Sequence, residues 1–412
     1  MAELVLGIAL AGAIVFAGFL ASKLFEATNV PDVLLLIAFG MIVGPILGLV
    51  DSSSLTPAMP FFAATALVVI MLAAGQHFNF YRVVSTLPSA TVFAFFAYFV
   101  SAALITGVAH LVFGWQLLHA AFLAFVLSGS CPTIVGSLVE RLRASEQTKI
   151  SLSLEATVND ALGSVFAVVV LRLISAHAVD AAIPLHEVAS AFAIAIVGGA
   201  VAGLVWMRLL RELRDHSYEY VLSLAAALFL YAAASYVGGN GAISVLVFGL
   251  VLGNAEEISR ALSGVKQQPR PRVLYAFEEE VVFFVRTFFF VYIGLIFQPS
   301  ASLDVILLAV AVMAAILASR TASMKALAPK AEDYLLQGFV IPIGLSAVVL
   351  SVLPSAFGVS IPGVAQVVLF VVVFTNVVTA AAVFLQTSTP KPLRSLAAPR
   401  KPRIVGFEQK RF

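Results

Sequence analysis

The sequence predicts an all-α polytopic membrane protein of about thirteen transmembrane helices, arranged as inverted-topology repeats with two broken helices that cross. Three observations carry this expectation. Hydrophobic residues make up 61% of the chain and charged residues 11%, whereas soluble domains hold roughly 45–50% and 25%. Apolar stretches long enough to cross a bilayer recur along the chain. Two of them are interrupted by proline and glycine, seven segments apart. This composition leaves no room for a water-soluble enzyme, and no catalytic residues are assigned.

Taken in order, the apolar segments run Glu3–Ala21, Val33–Val50, Met59–Phe80, Val84–Phe113, Ala120–Leu138, Ile150–Leu173, Ile183–Leu210, Tyr218–Val237, Asn240–Asn254, Val281–Phe297, Val305–Ala322, Tyr334–Phe357 and Val364–Leu385. Each is read against the roughly 18–25 residues that span about 30 Å of hydrocarbon. The first carries Glu3 and no basic run before it, so it is expected to be a retained helix and not a leader. All but three of the 24 Lys and Arg lie in odd-numbered connections or the tail; the exceptions are Arg172, Arg286 and Arg320. Positive charge collects on the cytoplasmic face, which predicts an N-terminus outside and a cytoplasmic C-terminus. Residues 1–386 then form one transmembrane domain, with a core bundle near 120–138, 150–173, 305–322, 334–357 and 364–385. Residues 387–412 form a short basic tail suited to anionic lipid. The single cysteine, Cys131, allows no intrachain disulfide, and no Cys/His cluster points to a structural metal.

The fifth segment contains Ser128-Gly129-Ser130-Cys131-Pro132-Thr133, and the twelfth contains Ile341-Pro342-Ile343-Gly344-Leu345-Ser346. Proline removes a helix donor and glycine permits unwinding. Opened backbone is tolerated at membrane depth only when it is buried in protein or lines a cavity. Being seven segments apart, the breaks run in opposite directions across the membrane, the pattern that places ion sites near the midplane. Each is followed by a helix with central polar groups, Asn159-Asp160 and Thr375-Asn376.

The sixth segment holds Glu155-Ala156-Thr157-Val158-Asn159-Asp160. Carboxylates at membrane depth are costly unless they face protein or water, and so are first candidates for function. Glu155 and Asn159 (i, i+4) share one helix face, while Thr157 and Asp160 (i, i+3) share another. Arg286 is expected to pair with one of Glu278, Glu279 or Glu280, or to reach the interface by snorkelling. His77 reads either as a pH-sensitive group or as an interfacial residue.

These residues resemble the monovalent cation/proton antiporters, in the NhaP-like branch related to the eukaryotic sodium/proton exchangers. Gly40-Met41-Ile42-Val43-Gly44-Pro45, Glu155 with Asn159-Asp160, the aromatic run Phe284–Phe290 with Gly294-Leu295, Arg320, and Pro342-Ile343-Gly344-Leu345 match family motifs in order and spacing. The resemblance implies an antiporter-like fold. It also implies exchange of a monovalent cation for protons, with sodium first and potassium or lithium as alternatives, serving pH homeostasis from a homodimer in the inner (plasma) membrane.

By that resemblance Asp160 carries the proton or the cation and Asn159 orients it. Thr157, Ser130, Cys131 and Thr133 join the ion site. Glu155 and Arg320 form a buried structural pair; Gly129, Pro132, Pro342, Gly344 and Ser346 shape the breaks. No cofactor and no nucleic acid are implied beyond the transported ions and the lipid bilayer. Two departures stand out. Cys131 takes the place of an aspartate in the first break, and Ile343 takes that of a basic residue in the second. With both charges gone, the helix ends at the crossing are expected to be compensated by hydroxyls and backbone, including Ser130, Thr133 and Ser346. Competition at one carboxylate predicts electroneutral one-for-one exchange. A sodium-coupled symporter of a small organic anion is the alternative.

Overall fold

The computed structural model describes residues 2–28, 30–50, 59–78, 88–139, 142, 144–175, 185–212, 219–263, 272–296, 302–327 and 333–388. The tail beyond Ser388 lies outside them. Among the described residues the regular structure is entirely helical. The helices are α1 (Ala2–Thr28), α2 (Asp32–Met41), α3 (Met59–His77), α4 (Pro88–Gly107), α5 (Leu117–Leu127), α6 (Pro132–Val139), α7 (Glu146–Ser175), α8 (Leu185–Glu212), α9 (Glu219–Tyr236), α10 (Gly241–Gly253), α11 (Ala255–Ser263), α12 (Arg272–Leu295), α13 (Leu303–Leu327), α14 (Tyr334–Phe339), α15 (Leu345–Val352) and α16 (Val364–Ser388).

Among the described residues, 8 spans are long and apolar enough to cross a membrane unaided, and the pair α10–α11, bent by 69°, makes a ninth. Shorter apolar helices fall in α1, α2 and α15. Local chemistry sets several ends. Pro45 lies inside a π-turn, Ile42–Ile46, that closes α2, because a proline cannot continue the α-helical ladder. Asn240 caps α10 by accepting from the Ile243 N–H at 3.2 Å. The 3₁₀ turn Leu353–Phe357 after α15 ends on Gly358 with φ 66°, a left-handed conformation that glycine adopts without penalty.

The helices sort into two packed groups. In one, α2 lies along α12, α3 along α10, and α10 along α8 and α9. Where α3 meets α10, a Cβ on Gly249 would stand 3.2 Å from the Gly75 Cα. Small residues let these backbones touch, which is how helices associate where lipid removes the hydrophobic drive. In the other group, α5 packs on α7, α4 on α5, α7 and α13, and α16 on α13, α14 and α15. The fourth segment, absent from the expected core bundle, therefore packs with it. The groups meet where α3 touches α7 and α15 and where α12 touches α15.

Candidate functional site

Both expected breaks are present, and they are bonded to each other. The α5 helix ends at Ser128, whose hydroxyl donates to the Ala124 carbonyl at 2.7 Å, and α6 restarts at Pro132, a position that needs no backbone donor. Between α14 and α15 the chain is unwound over 340–344. The Cys131 N–H donates to the Pro342 carbonyl at 2.7 Å, joining the two unwound stretches. They are also in contact through Gly344, where an added Cβ would stand 2.6 Å from the Cys131 Cβ.

The freed backbone of the second break is satisfied by α16. Ile341 N–H donates to Thr379 Oγ1 at 3.2 Å and Ile343 N–H to Thr375 Oγ1 at 3.4 Å. Asn376 Nδ2 donates to the Ile343 carbonyl at 2.9 Å. All three side chains are at most 0% exposed. Thr133 is exposed and its hydroxyl meets Cys131 Sγ at 3.1 Å. The second break is served by Thr375 and Thr379, one turn apart on a single face of α16.

The α7 helix passes directly behind the first break, where a Cβ on Gly129 would lie 3.1 Å from the Asn159 carbonyl. Two small cavities, each with a largely apolar wall set with a few polar side chains, flank this point. One, of about 30 Å³, is lined by Ser101, Ser130, Glu155, Asn159, Ser319 and Arg320 among others. The second, of about 20 Å³, is lined by Ser130, Cys131, Asn159, Asp160, Ser164 and Ser346, with the backbones of Gly129 and Gly344. Asn159 belongs to both, and its Oδ1 is buried without a hydrogen-bond partner. Asp160 is half-buried, with its carboxyl facing the Ser346 hydroxyl.

Glu155 and Arg320 form a bidentate pair joining α7 to α13. Arg320 Nη2 donates to Glu155 Oε2 at 2.9 Å and Nη1 to Oε1. Arg320 Nε donates to the Gln337 carbonyl at 2.8 Å, so the guanidinium also holds α14, and it lies 5.1 Å from the centre of the Phe93 ring. Both residues are 5% exposed. A guanidinium in such a place needs a carboxylate, since an unpaired charge at that depth is prohibitive.

Three expected placements differ in the structure. Thr157 lines neither cavity; its hydroxyl donates to the Ser153 carbonyl at 2.9 Å, the usual fate of a helical threonine. Thr133, noted above, also stands outside both. Arg286 pairs with none of its own helix's glutamates among the described side chains, which begin at Glu279. It reaches Asp32 Oδ2 at 2.9 Å, at the start of α2, where Ser22 also donates from α1 at 3.5 Å. His77 is exposed, with Nδ1 bonded to the Ala73 carbonyl at 2.8 Å. Sequence reasoning missed Ser101, Ser164, Thr379 and Asp32. Ser164 and Thr379 had a local signal, their i+4 spacing from Asp160 and Thr375.

The profile of the family described as sodium/hydrogen exchanger, transmembrane, matches residues 10–388. The low-affinity Na⁺/H⁺ antiporter NhaS1 of Synechocystis sp. is 28% identical over 213 residues, covering 51% of this chain and 39% of that protein. The K⁺/H⁺ antiporter NhaP of Alkalimonas amylolytica is 24% identical over 428 residues, covering 97% and 71%. The fold matches the solved structure of the sodium proton antiporter MjNhaP1 from Methanocaldococcus jannaschii at pH 8, with a TM-score of 0.73, 19% identity, and coverage of 94% of this chain and 97% of that one. With the family profile running from within α1 to the end of α16, and the two broken helices crossing beside Asn159-Asp160, the chain belongs to the transmembrane sodium/hydrogen exchanger family.

Proposed function

We propose that this protein is a secondary antiporter that exchanges a monovalent cation for protons, one for one, by competition at Asp160. The observation that carries the reading is the placement of this half-buried carboxylate in a small cavity at the point where two unwound helices meet. Its neighbour Asn159 adds a second polar group without a second charge. With a proton or a cation bound, the site is neutral and can cross the low-dielectric barrier. Unoccupied, it holds an uncompensated charge and does not. Coupling needs nothing more.

The Glu155–Arg320 pair takes no part in the exchange, because its two charges compensate each other whichever ion is bound. Relatives whose names specify Na⁺/H⁺ and K⁺/H⁺ antiport support the reaction class and point to sodium or potassium as cargo. The proposal extends to a homodimer in the plasma (inner) membrane with an outside N-terminus and a cytoplasmic C-terminus. The support for that orientation is the clustering of basic residues in alternate connections.

The test is proton flux into sealed liposomes containing purified protein and a lumenal pH dye, with sodium, potassium or lithium chloride added outside. Cation-dependent flux that persists under voltage clamp and vanishes in Asp160→Asn is expected. As pH falls, protons occupy the carboxyl more often, so the KM for the cation should rise while the maximal rate holds. An Asp160→Asn protein that exchanges at the wild-type rate removes Asp160 from the role. Uptake of an organic anion driven by sodium, with no cation–proton exchange, favours the symporter instead.

A further inference from the structure

Hydroxyls on the membrane helices of this protein usually bond back to their own helix. Ser128 donates to the Ala124 carbonyl, Thr157 to Ser153, Ser175 to Leu171 and Ser323 to Ser319, at 2.7, 2.9, 3.0 and 2.8 Å. This is the default for a helical serine, because the carbonyl one turn back is always at hand. Among the described residues, four buried serine and threonine hydroxyls depart from it, those of Ser101, Ser164, Ser244 and Thr287, and of these Ser164 alone lines the cavity that holds Asp160. Ser164 is 1% exposed and its Oγ is buried without a hydrogen-bond partner. The i, i+4 spacing puts it on the same face of α7 as that carboxylate.

The cavity sets what this oxygen can serve. At about 20 Å³ it admits one small occupant, since a single water needs roughly 10–15 Å³ on the same measure. A hydrated cation does not fit. An alkali ion entering there sheds most of its water and must regain oxygen ligands from the walls. The wall supplies the Asp160 carboxylate, the Ser346 and Ser130 hydroxyls, Asn159 and Ser164. Ala156, one turn before Asp160, is 0% exposed and brings no oxygen. Ser164 Oγ has no existing bond to break before it turns a lone pair to an ion.

We propose that Ser164 is an oxygen ligand of the transported cation, one helical turn beyond Asp160. The proposal rests on the cation–proton exchange reading and goes beyond it by naming a ligand and its consequence. A neutral hydroxyl favours the cation-bound form without changing the charge of the carrier. Its loss therefore weakens cation binding and leaves the rate of the loaded carrier alone.

The experiment compares wild type, Ser164→Ala and Ser164→Thr in the liposome assay with sodium, potassium and lithium chloride in turn. In parallel, each cation is titrated into the purified proteins and thermal stabilisation is followed, which reports binding to the folded state whether or not transport occurs. Ser164→Ala should raise the KM for the preferred cation about 3- to 10-fold, the factor that corresponds to one net hydrogen-bond-scale contact. The maximal rate should stay within about twofold, the half-point of stabilisation should move by a similar factor, and Ser164→Thr should restore both. A KM for all three cations unchanged in Ser164→Ala overturns the proposal, as does a fall in maximal rate at constant KM. If Ser164→Thr does not fold, the stabilisation half-point of Ser164→Ala against wild type decides alone. If wild type moves no protons with any cation, the exchange reading falls, while a half-point that shifts in Ser164→Ala still identifies the ligand.

Discussion

Replacing Glu155 by glutamine keeps the side chain's shape and one acceptor but removes its charge, leaving the Arg320 guanidinium buried without its carboxylate. Two unit charges about 4 Å apart interact by about 4 kcal/mol at an effective dielectric near 20. Breaking a buried pair by removing one partner costs about 3–5 kcal/mol. The surroundings place this site toward the lower end, because Arg320 keeps its bonds to the Gln337 carbonyl and its contact with Phe93. Glu155→Gln should therefore lose about 3–4 kcal/mol, a drop on the order of 5 °C in apparent melting temperature for a chain of this length. Arg320→Met should lose a similar amount. The double variant, with no orphaned charge, should regain at least half of the loss. The assay is the temperature at which the monodisperse detergent-solubilised peak is lost in size-exclusion chromatography. A Glu155→Gln protein as stable as wild type, or a double variant whose loss equals the sum of the singles, would refute a coupled structural pair.

Other predictions follow from the crossing and the second ion pair. Gly344→Ala drives a methyl into Cys131 and should destabilise by about 1–3 kcal/mol, the usual range for overpacking; an unchanged melting temperature would mean the two unwound stretches are not in contact. Asn376→Ala removes donors to the Ile343 and Val372 carbonyls, at 2.9 and 2.8 Å. It should cost about 1–3 kcal/mol through unsatisfied buried groups, read as faster amide exchange around residues 340–344. Asp32→Asn should destabilise through Arg286, and Asp32→Asn with Arg286→Gln should recover part of the loss in the same chromatographic assay. Independent effects of the two changes would show that the 2.9 Å pair does not couple α2 to α12.

The difference between Thr157 and Ser164 shows why the ion site was only partly legible. Both lie within one turn of Asp160 on α7, and both carry hydroxyls. Periodicity assigns a residue to a helix face, but it does not decide whether its oxygen is spent on its own helix, as in Thr157, or left for a cavity, as in Ser164. That choice depends on what packs opposite. The missing charges at Cys131 and Ile343 could be noticed along the chain. That Thr375, Asn376 and Thr379 satisfy the opened backbone of the second break could not be derived there, because it requires knowing that α16 passes behind it.

By itself the sequence determined the properties that are local or additive. Composition established the class, the lengths of apolar runs placed the segments, proline and glycine located the breaks, and charge at membrane depth singled out Glu155, Asn159, Asp160 and Arg320. Tertiary structure alone decided which groups meet. Arg286 found Asp32 on α2, the two unwound stretches bonded through Cys131 and Pro342, and Ser101 and Ser164 came to line the cavities. The physical reason is that helices form through bonds between near neighbours in the chain, whereas pairing of buried charges and satisfaction of opened backbone depend on partners from distant helices.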